Sequence, residues 1–203
     1  MKVGTPAVTL TLDEATHVYR LNGRVLRSVT QVIGTILVPG GYNPDDFYRE
    51  RGSAAHLACR LHAEGRLDES TIDENVRPYL DAYKRFLRET GFRPIQCEVS
   101  FANEAFGFAG TPDQEGNWGC LEGAWTIIDL KSGNIPSWTG IQLAGYCVGR
   151  GQEYRPKRIA VRLQSDGGFK LIEYPLRDLS RDTNVFLAAL AVYNWRKANG
   201  YID

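Results

Sequence analysis

Residues 127–131, Ile127-Ile128-Asp129-Leu130-Lys131, combine apolar side chains with an aspartate and a lysine. The composition and length of this stretch are typical of a buried strand. Because side chains alternate across a strand, we expect Asp129 and Lys131 to share one face while Ile128 and Leu130 point to the other. Charges in such a place need partners, which a metal ion and a substrate would supply. An ordinary ion pair between the two charged side chains is the alternative.

A second candidate carboxylate lies sixteen positions earlier, in Gly110-Thr111-Pro112-Asp113, at the end of a predicted strand. Two neighbouring strands would bring the carboxylates of Asp113 and Asp129 together. Paired carboxylates repel one another unless a cation lies between them, and oxygen ligands suit Mg²⁺ or Mn²⁺. A Pro-Asp pair that merely opens a turn is the alternative.

The order of predicted elements is that of a mixed α/β fold. Asn22-Gly23 predicts a hairpin turn, and Ser28 with Gln31 predicts a capping box that opens a short helix. Further helices are predicted over about 43–65, 73–89, 137–150 and 178–198, and strands over 8–12, 95–101, 106–111, 126–130, 158–163 and 169–174. We therefore expect a mixed central sheet flanked by helices.

The chain is predicted to form one domain over residues 1–203. Its length suits a single domain, and no repeat or linker divides it. Residues 1–40 would form an N-terminal hairpin and helix, and residues 44–199 the core. No apolar run approaches the length of a membrane span and no leader pattern is visible, so a cytoplasmic protein without a membrane segment is expected.

Charge and cysteine content restrict the possible functions. The formal net charge is zero, so the overall charge gives no sign of a tight, non-specific DNA binder. The four cysteines, Cys59, Cys97, Cys120 and Cys147, form no C-x-x-C pair. Their spacing argues against a zinc knuckle and against a redox motif.

Four segments together resemble a known enzyme signature. Pro112-Asp113 followed by Asp129-Leu130-Lys131 resembles the signature of the PD-(D/E)XK nuclease superfamily. Residues 52–56 (GSAAH) are similar to the G-x-x-x-H motif of its RecB-type exonuclease branch, and residues 142–146 (QLAGY) to the Q-x-x-x-Y motif of that branch. The motifs stand in the family's order, and the layout is most similar to phage-encoded and mitochondrial-genome-maintenance-type exonucleases.

The resemblance implies a restriction-endonuclease-like core and a deoxyribonuclease that depends on Mg²⁺ or Mn²⁺. His56, Asp113 and Asp129, with the backbone carbonyl of Leu130, would hold one or two ions. Lys131 would orient or deprotonate the attacking water and stabilise the transition state. Asp113, Asp129 and Lys131 are thus the expected catalytic residues.

Further residues are expected near this site. Gln142 and Tyr146 lie one helical turn apart and would position the DNA, although a tyrosine packed against the core fits the same pattern. An acidic residue such as Glu98 often accompanies the site in similar enzymes, and a surface glutamate is the alternative. Gly52 shares a helix face with His56 and would allow a close approach of backbone or substrate. Trp138 would stack on a base.

The expected activity is exonucleolytic hydrolysis of DNA in end processing, replication or recombination, in a bacterial or phage-infected cell. A helicase, a recombinase or a single-strand-binding protein is the expected kind of partner. A structure-specific or restriction-like endonuclease and a non-catalytic DNA-binding protein are the alternatives. His17 and His62 are expected to be structural. Cys147 is the one cysteine beyond Lys131, whereas relatives with an iron–sulfur cluster carry three there, so no cluster is expected.

Overall fold

The structure, a computed structural model, describes residues 9–13, 16–40, 46–119, 123–151 and 153–202. These residues form ten strands, five α-helices and two short 3₁₀-helices, at Glu69–Thr71 and Leu176–Asp178. The strands are β1 (Leu10–Asp13), β2 (Val18–Leu21), β3 (Arg24–Ser28), β4 (Arg93–Cys97), β5 (Phe101–Asn103), β6 (Phe108–Gly110), β7 (Gln114–Trp118), β8 (Ala124–Lys131), β9 (Lys157–Leu163) and β10 (Phe169–Tyr174). The helices are α1 (Val29–Ile36), α2 (Asp46–Ala63), α3 (Arg77–Thr90), α4 (Thr139–Arg150) and α5 (Leu179–Ala198).

The strands form two mixed sheets of five strands each. The first has the order β1-β2-β3-β6-β5, and its β3–β6 pair is parallel. The second has the order β10-β9-β8-β7-β4, and its β8–β9 pair is parallel. The predicted mixed α/β class with flanking helices is therefore confirmed, although the described strands are divided between two sheets instead of one.

The chain passes between the two sheets at Glu98. The alternation over residues 95–101 predicts one strand, but β4 ends at Cys97 and β5 begins at Phe101. Glu98 has a φ of 51°, in the left-handed region that strand residues do not adopt. Its N–H donates a hydrogen bond to the carbonyl oxygen of Asp113 at 3.0 Å. The prediction of one strand is wrong because this bend sends β4 to β7 and β5 to β6.

The sequence pattern does not predict β7, whose residues are largely polar and include Gly116. β6 ends at Gly110 in the first sheet, whereas β7 pairs antiparallel with β8 in the second. Asp113 therefore lies at the start of the strand beside β8, not at the end of the preceding strand. A Cβ atom at Gly116 would fall 2.0 Å from the carbonyl oxygen of Arg93, so the glycine allows β4 to approach closely.

The N-terminal segment follows its local signals. Asn22 and Gly23 connect β2 to β3 with φ values of 50° and 82°, as a type I′ hairpin turn requires. The predicted capping box opens α1: Oγ of Ser28 accepts from the Gln31 N–H, and the Gln31 side chain accepts from the Ser28 N–H, both at 3.0 Å. Both predictions are confirmed, because each depends on residues close together in sequence.

The other boundaries differ from the predictions by a few residues. α2 is described from Asp46 to Ala63, and its predicted start at residues 43–45 lies outside the described residues. α3 begins at Arg77, later than predicted, and ends at Thr90, where Gly91 forms the C-cap in the left-handed conformation with a φ of 67°. The described helices include none that is long and apolar enough to cross a membrane.

Two hydrophobic cores lie on the two sides of β8. Ile128 and Leu130 pack in one core with side chains of α2 and α3. Ile127 packs in the other core with side chains of α1, α4 and α5. The alternation predicted for this strand is confirmed, and it leaves Asp129 and Lys131 on the side away from α3.

Candidate active site

An open groove of about 720 Å³ lies beside the end of β8. Its walls come from α2, the Glu98 bend, the connection between β6 and β7, and the loop after β8, and they include His56, Asp113 and Lys131. A smaller cavity of about 180 Å³ shares Asp113 and Lys131 with the groove and adds Asp129. We call these two spaces the groove and the inner cavity. The predicted catalytic residues thus lie where the two spaces meet.

Asp113 is held by a helix on one side and a strand on the other. Its Oδ1 lies 3.4 Å from Nδ1 of His56 on α2. Its Oδ2 accepts a hydrogen bond from the backbone N–H of Leu130 at 2.6 Å. Burial raises the pKa of Asp113. The charge and hydrogen bond of His56 and the charge of Lys131 lower it by a larger amount, so the pKa lies below its usual value.

His56 lies in the middle of α2. Burial lowers the pKa of its imidazole, but the charge and hydrogen bond of Asp113 outweigh that effect and leave the pKa raised. The imidazole and the Asp113 carboxylate therefore stabilise each other's charged forms in the absence of a further cation.

Asp129 and Lys131 form an ion pair on β8. Nζ of Lys131 lies 2.6 Å from Oδ2 of Asp129, and the Asp129 side chain is buried. Burial raises the pKa of Asp129, Lys131 lowers it, and the neighbouring Asp113 charge raises it again, so the net direction is upward. The ion pair with Lys131 therefore compensates only part of the cost of burying this carboxylate.

Gln142 and Tyr146 lie side by side in the inner cavity. Nε2 of Gln142 donates a hydrogen bond to the Tyr146 hydroxyl at 2.9 Å, and both side chains are buried. Oε1 of Gln142 is buried without a hydrogen-bond partner among the described residues. Burial, followed by the charges of Asp129 and Asp113, raises the pKa of Tyr146 well above its usual value, so the phenol stays protonated.

Glu98 lies on the wall of the groove and is ion-paired. Its Oε2 is 2.5 Å from Nη1 of Arg60 on α2. Burial raises the pKa of Glu98, the charge of Arg60 lowers it, and the charge of Asp113 raises it, with an upward net direction. The Glu98 side chain is therefore half-buried, and its charge is paired with that of Arg60.

Gly52 lies beside the loop that follows β8, whereas Trp138 packs against a hydrophobic core. A Cβ atom at Gly52 would lie 3.3 Å from Oγ of Ser132, in the loop that follows Lys131, so α2 passes close to this loop. Trp138 precedes α4, is half-buried and packs against the core that contains Ile127. Trp138 is not among the residues that line the groove or the inner cavity.

The N-terminal hairpin also reaches the site, which no motif in its sequence indicates. His17 lines both the groove and the inner cavity, and its φ of 52° is uncommon for a residue other than glycine. The hydroxyls of Tyr19 and Ser100 each lie 2.7 Å from Oγ1 of Thr111. This chain of hydroxyls joins the hairpin to the segment before Asp113.

The donor atoms at this site fit a divalent cation by type. Among the described residues, however, no group of three or more His, Cys, Asp or Glu side chains is arranged to hold a metal ion. Two carboxylates suit a hard cation, and the poorly compensated charge of buried Asp129 would be stabilised by one. Lys131 and His56 now lie against the carboxylates of Asp129 and Asp113. These contacts would have to loosen for a cation to bind.

Comparisons with known proteins give matches among solved structures. No protein family and no curated protein matches the sequence. A candidate exonuclease from Eubacterium rectale has a TM-score of 0.49 and 14% identity, over 82% of this chain and 73% of that chain. The alkaline exonuclease LHK-Exo from Laribacter hongkongensis has a TM-score of 0.36 and 17% identity, over 86% of this chain and 94% of that chain. Its complex with dAMP has a TM-score of 0.36 and 19% identity, over 87% and 95%.

Proposed function

We propose that this chain is a deoxyribonuclease, dependent on Mg²⁺ or Mn²⁺, that hydrolyses phosphodiester bonds from the ends of DNA strands. The observation that carries the proposal is the meeting of Asp113, Asp129, Lys131 and His56 between the groove and the inner cavity. Two carboxylates, an ammonium group and an imidazole are a suitable set for metal-assisted hydrolysis of a phosphodiester. The resemblance of the sequence to RecB-type PD-(D/E)XK nucleases supports the same reaction.

Each of these groups has a role that its chemistry suits. Asp113, Asp129, the His56 imidazole and the Leu130 carbonyl would hold the cation. When bound, such a cation lowers the pKa of a water ligand and neutralises charge on the phosphate. The Lys131 ammonium, at the junction of the groove and the inner cavity, orients the attacking water and stabilises the negative charge that develops on the phosphate oxygens.

The reaction at strand ends is proposed from the resemblance of the sequence to RecB-type exonucleases. The inner cavity, of about 180 Å³, adjoins Asp113, Asp129 and Lys131. Oε1 of Gln142, which has no hydrogen-bond partner among the described residues, is available to accept from a sugar hydroxyl there.

A digestion assay tests the proposal. Linear single- and double-stranded DNA and circular DNA are incubated with the protein in Mg²⁺, in Mn²⁺ and in EDTA, alongside the Lys131→Ala variant. We expect linear DNA to be lost only with metal and only with the unmodified protein, while circles stay intact. Circular dichroism checks that the variant is folded, and Asp113→Asn serves as a second inactive variant.

The other outcomes separate the alternatives. Cleavage of circular DNA would assign an endonuclease that uses the same residues. Binding of DNA without cleavage in any metal would assign a non-catalytic binding protein. Full activity of folded Lys131→Ala would overturn the assignment of this site.

A further inference from the structure

We propose that the groove takes its DNA as a single strand, with unpaired bases stacked on an aromatic rim formed by Phe47 and Tyr48. The inference rests on the proposed nuclease function and names the form of DNA that the same site accepts. Both residues lie in the first turn of α2, where they are 57% and 58% exposed. A third exposed apolar residue of α2 is Leu57.

The aromatic rim is continuous with the candidate active site. Tyr48 and Leu57 line the groove together with His56 and Lys131. A strand whose scissile phosphate lies at Lys131 therefore passes these apolar side chains within the same groove. Scattered exposed apolar residues are normal on a protein surface. Here Tyr48 and Leu57 share the walls of one groove with the charged residues of the site, and Phe47 packs against Tyr48.

The rim is held in place by Arg51. The rings of Phe47 and Tyr48 pack edge to face with their centroids 5.6 Å apart. The Arg51 guanidinium lies 5.1 Å from the Tyr48 centroid and 5.9 Å from the Phe47 centroid. It also lies 4.9 Å from the ring of Tyr79, which is buried on α3. Because these contacts restrain the rings beforehand, less conformational entropy is lost when a base stacks on them.

Arg51 also supplies a positive charge beside the rim. Its Nη2 donates to the carbonyl oxygen of Ser132 at 3.4 Å, directly after Lys131 in the chain. Its Nε is buried without a hydrogen-bond partner among the described residues, and no carboxylate in those residues forms an ion pair with it. A backbone phosphate next to a stacked base would complement this charge.

The neighbouring arginines of the groove differ from Arg51 because each forms an ion pair with a carboxylate. Arg49 is ion-paired with Asp46 at 2.7 Å, and Arg60 is ion-paired with Glu98 at 2.5 Å. Their charges are therefore largely compensated within the protein. Of these three arginines, Arg51 is the one without a carboxylate partner among the described residues, and it lies at the aromatic rim, where the combination of cation and exposed rings suits nucleic acid.

Stacking on the rim requires an unpaired base. In a duplex the faces of the bases are covered by their neighbours and only their edges are accessible, whereas an unpaired strand can present its bases to aromatic side chains. A duplex would have to extrude a base and lose its stacking and pairing. Single strands and single-stranded overhangs are therefore the expected substrates, without a preference for sequence, since every base has a face that can stack.

The test measures binding of two fluorescent oligomers of equal length to full-length Lys131→Ala protein in Mg²⁺. One is oligothymidylate, and the other is an abasic oligomer with the same phosphates and no bases. Adding Tyr48→Ala should weaken binding of oligothymidylate about tenfold or more and leave binding of the abasic oligomer nearly unchanged. Phe47→Ala should act in the same direction, and Tyr48→Phe should restore the affinity because it keeps the ring.

Tyr201→Ala is the matched control. Tyr201 is 64% exposed and stacked on Trp195, with centroids 5.4 Å apart, and it does not line the groove. This variant should bind both oligomers as the parent does. A similar loss for Tyr201→Ala would mean that any exposed ring contributes, which would overturn the assignment of the rim.

Three further results would overturn the inference: equal losses on both oligomers with Tyr48→Ala, no loss on either, or tighter binding of blunt duplex than of single strand. Failure of the proposed nuclease function is a separate result. In that case the unmodified protein would cleave no DNA in any metal. The binding measurement does not depend on cleavage. The failure of one conclusion can therefore be distinguished from the failure of the other.

Discussion

The backbone N–H of Leu130 donates a hydrogen bond of 2.6 Å to the carboxylate of Asp113. This contact joins the start of β7 to the end of β8, and the second oxygen of the same carboxylate faces His56 on α2. One side chain thus links two strands and a helix at the candidate site. Its charge and its capacity to accept a hydrogen bond have different consequences, which substitutions can separate.

Asp113→Asn should abolish cleavage and should cost less stability than Asp113→Ala. The amide oxygen still accepts from the Leu130 N–H, but the negative charge is lost. Asp113→Ala should also abolish cleavage, and it should cost about 1–3 kcal/mol of stability because it leaves a buried N–H without an acceptor. Urea unfolding compares the two variants. Equal stabilities would show that the hydrogen bond contributes nothing measurable.

Asp182→Ala should destabilise the protein by about 3–5 kcal/mol, because it leaves the buried guanidinium of Arg158 without its counter-charge. Nη1 of Arg158 lies 2.9 Å from Oδ2 of Asp182, and the Arg158 side chain is fully buried. Urea unfolding measures the loss. Arg85→Ala is the control, since it breaks the exposed ion pair with Glu89 and should cost less than about 1 kcal/mol. Similar losses for both variants would contradict this account.

Two glycine substitutions should change stability in opposite directions. Gly116→Ala places a Cβ atom 2.0 Å from the carbonyl oxygen of Arg93, so the β4–β7 pair must separate, at a cost of at least about 1–3 kcal/mol. Gly34→Ala meets nothing within 4 Å in α1 and should stabilise by about 0.5–1 kcal/mol, because alanine is the better helix former. Thermal unfolding distinguishes the two, and a neutral Gly116→Ala would refute the close approach.

Alkylation of Cys97 should require a pH well above neutral. Burial, followed by the charges of Glu64 and Glu98, raises the pKa of its thiol to about 11. Since the thiolate is the reacting form, its rate with iodoacetamide near pH 8 should be about a thousandth of the plateau rate and should rise about tenfold per pH unit. Mass spectrometry of the Cys97 peptide, in a Cys120→Ser background, follows the reaction.

Glu98→Gln provides the control for this pH dependence. It removes a negative charge and leaves the charge of Arg60, which lowers the pKa of the Cys97 thiol. Alkylation near pH 8 should therefore become faster. A rate equal to that of free cysteine in the unmodified protein would show that the thiol is not shielded.

Elements that depend on neighbouring residues can be predicted from the sequence. The Asn22-Gly23 turn and the capping box at Ser28 are both confirmed, since each depends on residues within a few positions of one another. The alternation along β8 is confirmed for the same reason. The motifs around Asp113 and Asp129 selected residues that the structure brings together with His56 and Lys131.

The break between β4 and β5 and the presence of β7 depend on residues far apart in the sequence. Residues 95–101 alternate as one strand would, but the hydrogen bond from Glu98 to Asp113 bends the chain there and divides the strands between two sheets. β7 has a polar sequence and exists because β4 and β8 pair with it on either side. Local propensity cannot reveal such pairings, because their free energy comes from contacts made only after folding.

At the candidate site, too, the motifs predict some residues and only the fold shows the others. The sequence names its carboxylates, its lysine and its imidazole, because a motif records which residue types occur at which spacing. Only folding decides that Gln142 and Tyr146 are buried in the inner cavity, that the hairpin residue His17 reaches the groove, and that Arg51 lies among exposed aromatic rings. Burial and charge compensation depend on the whole surroundings of a side chain, which segments far apart in the sequence provide.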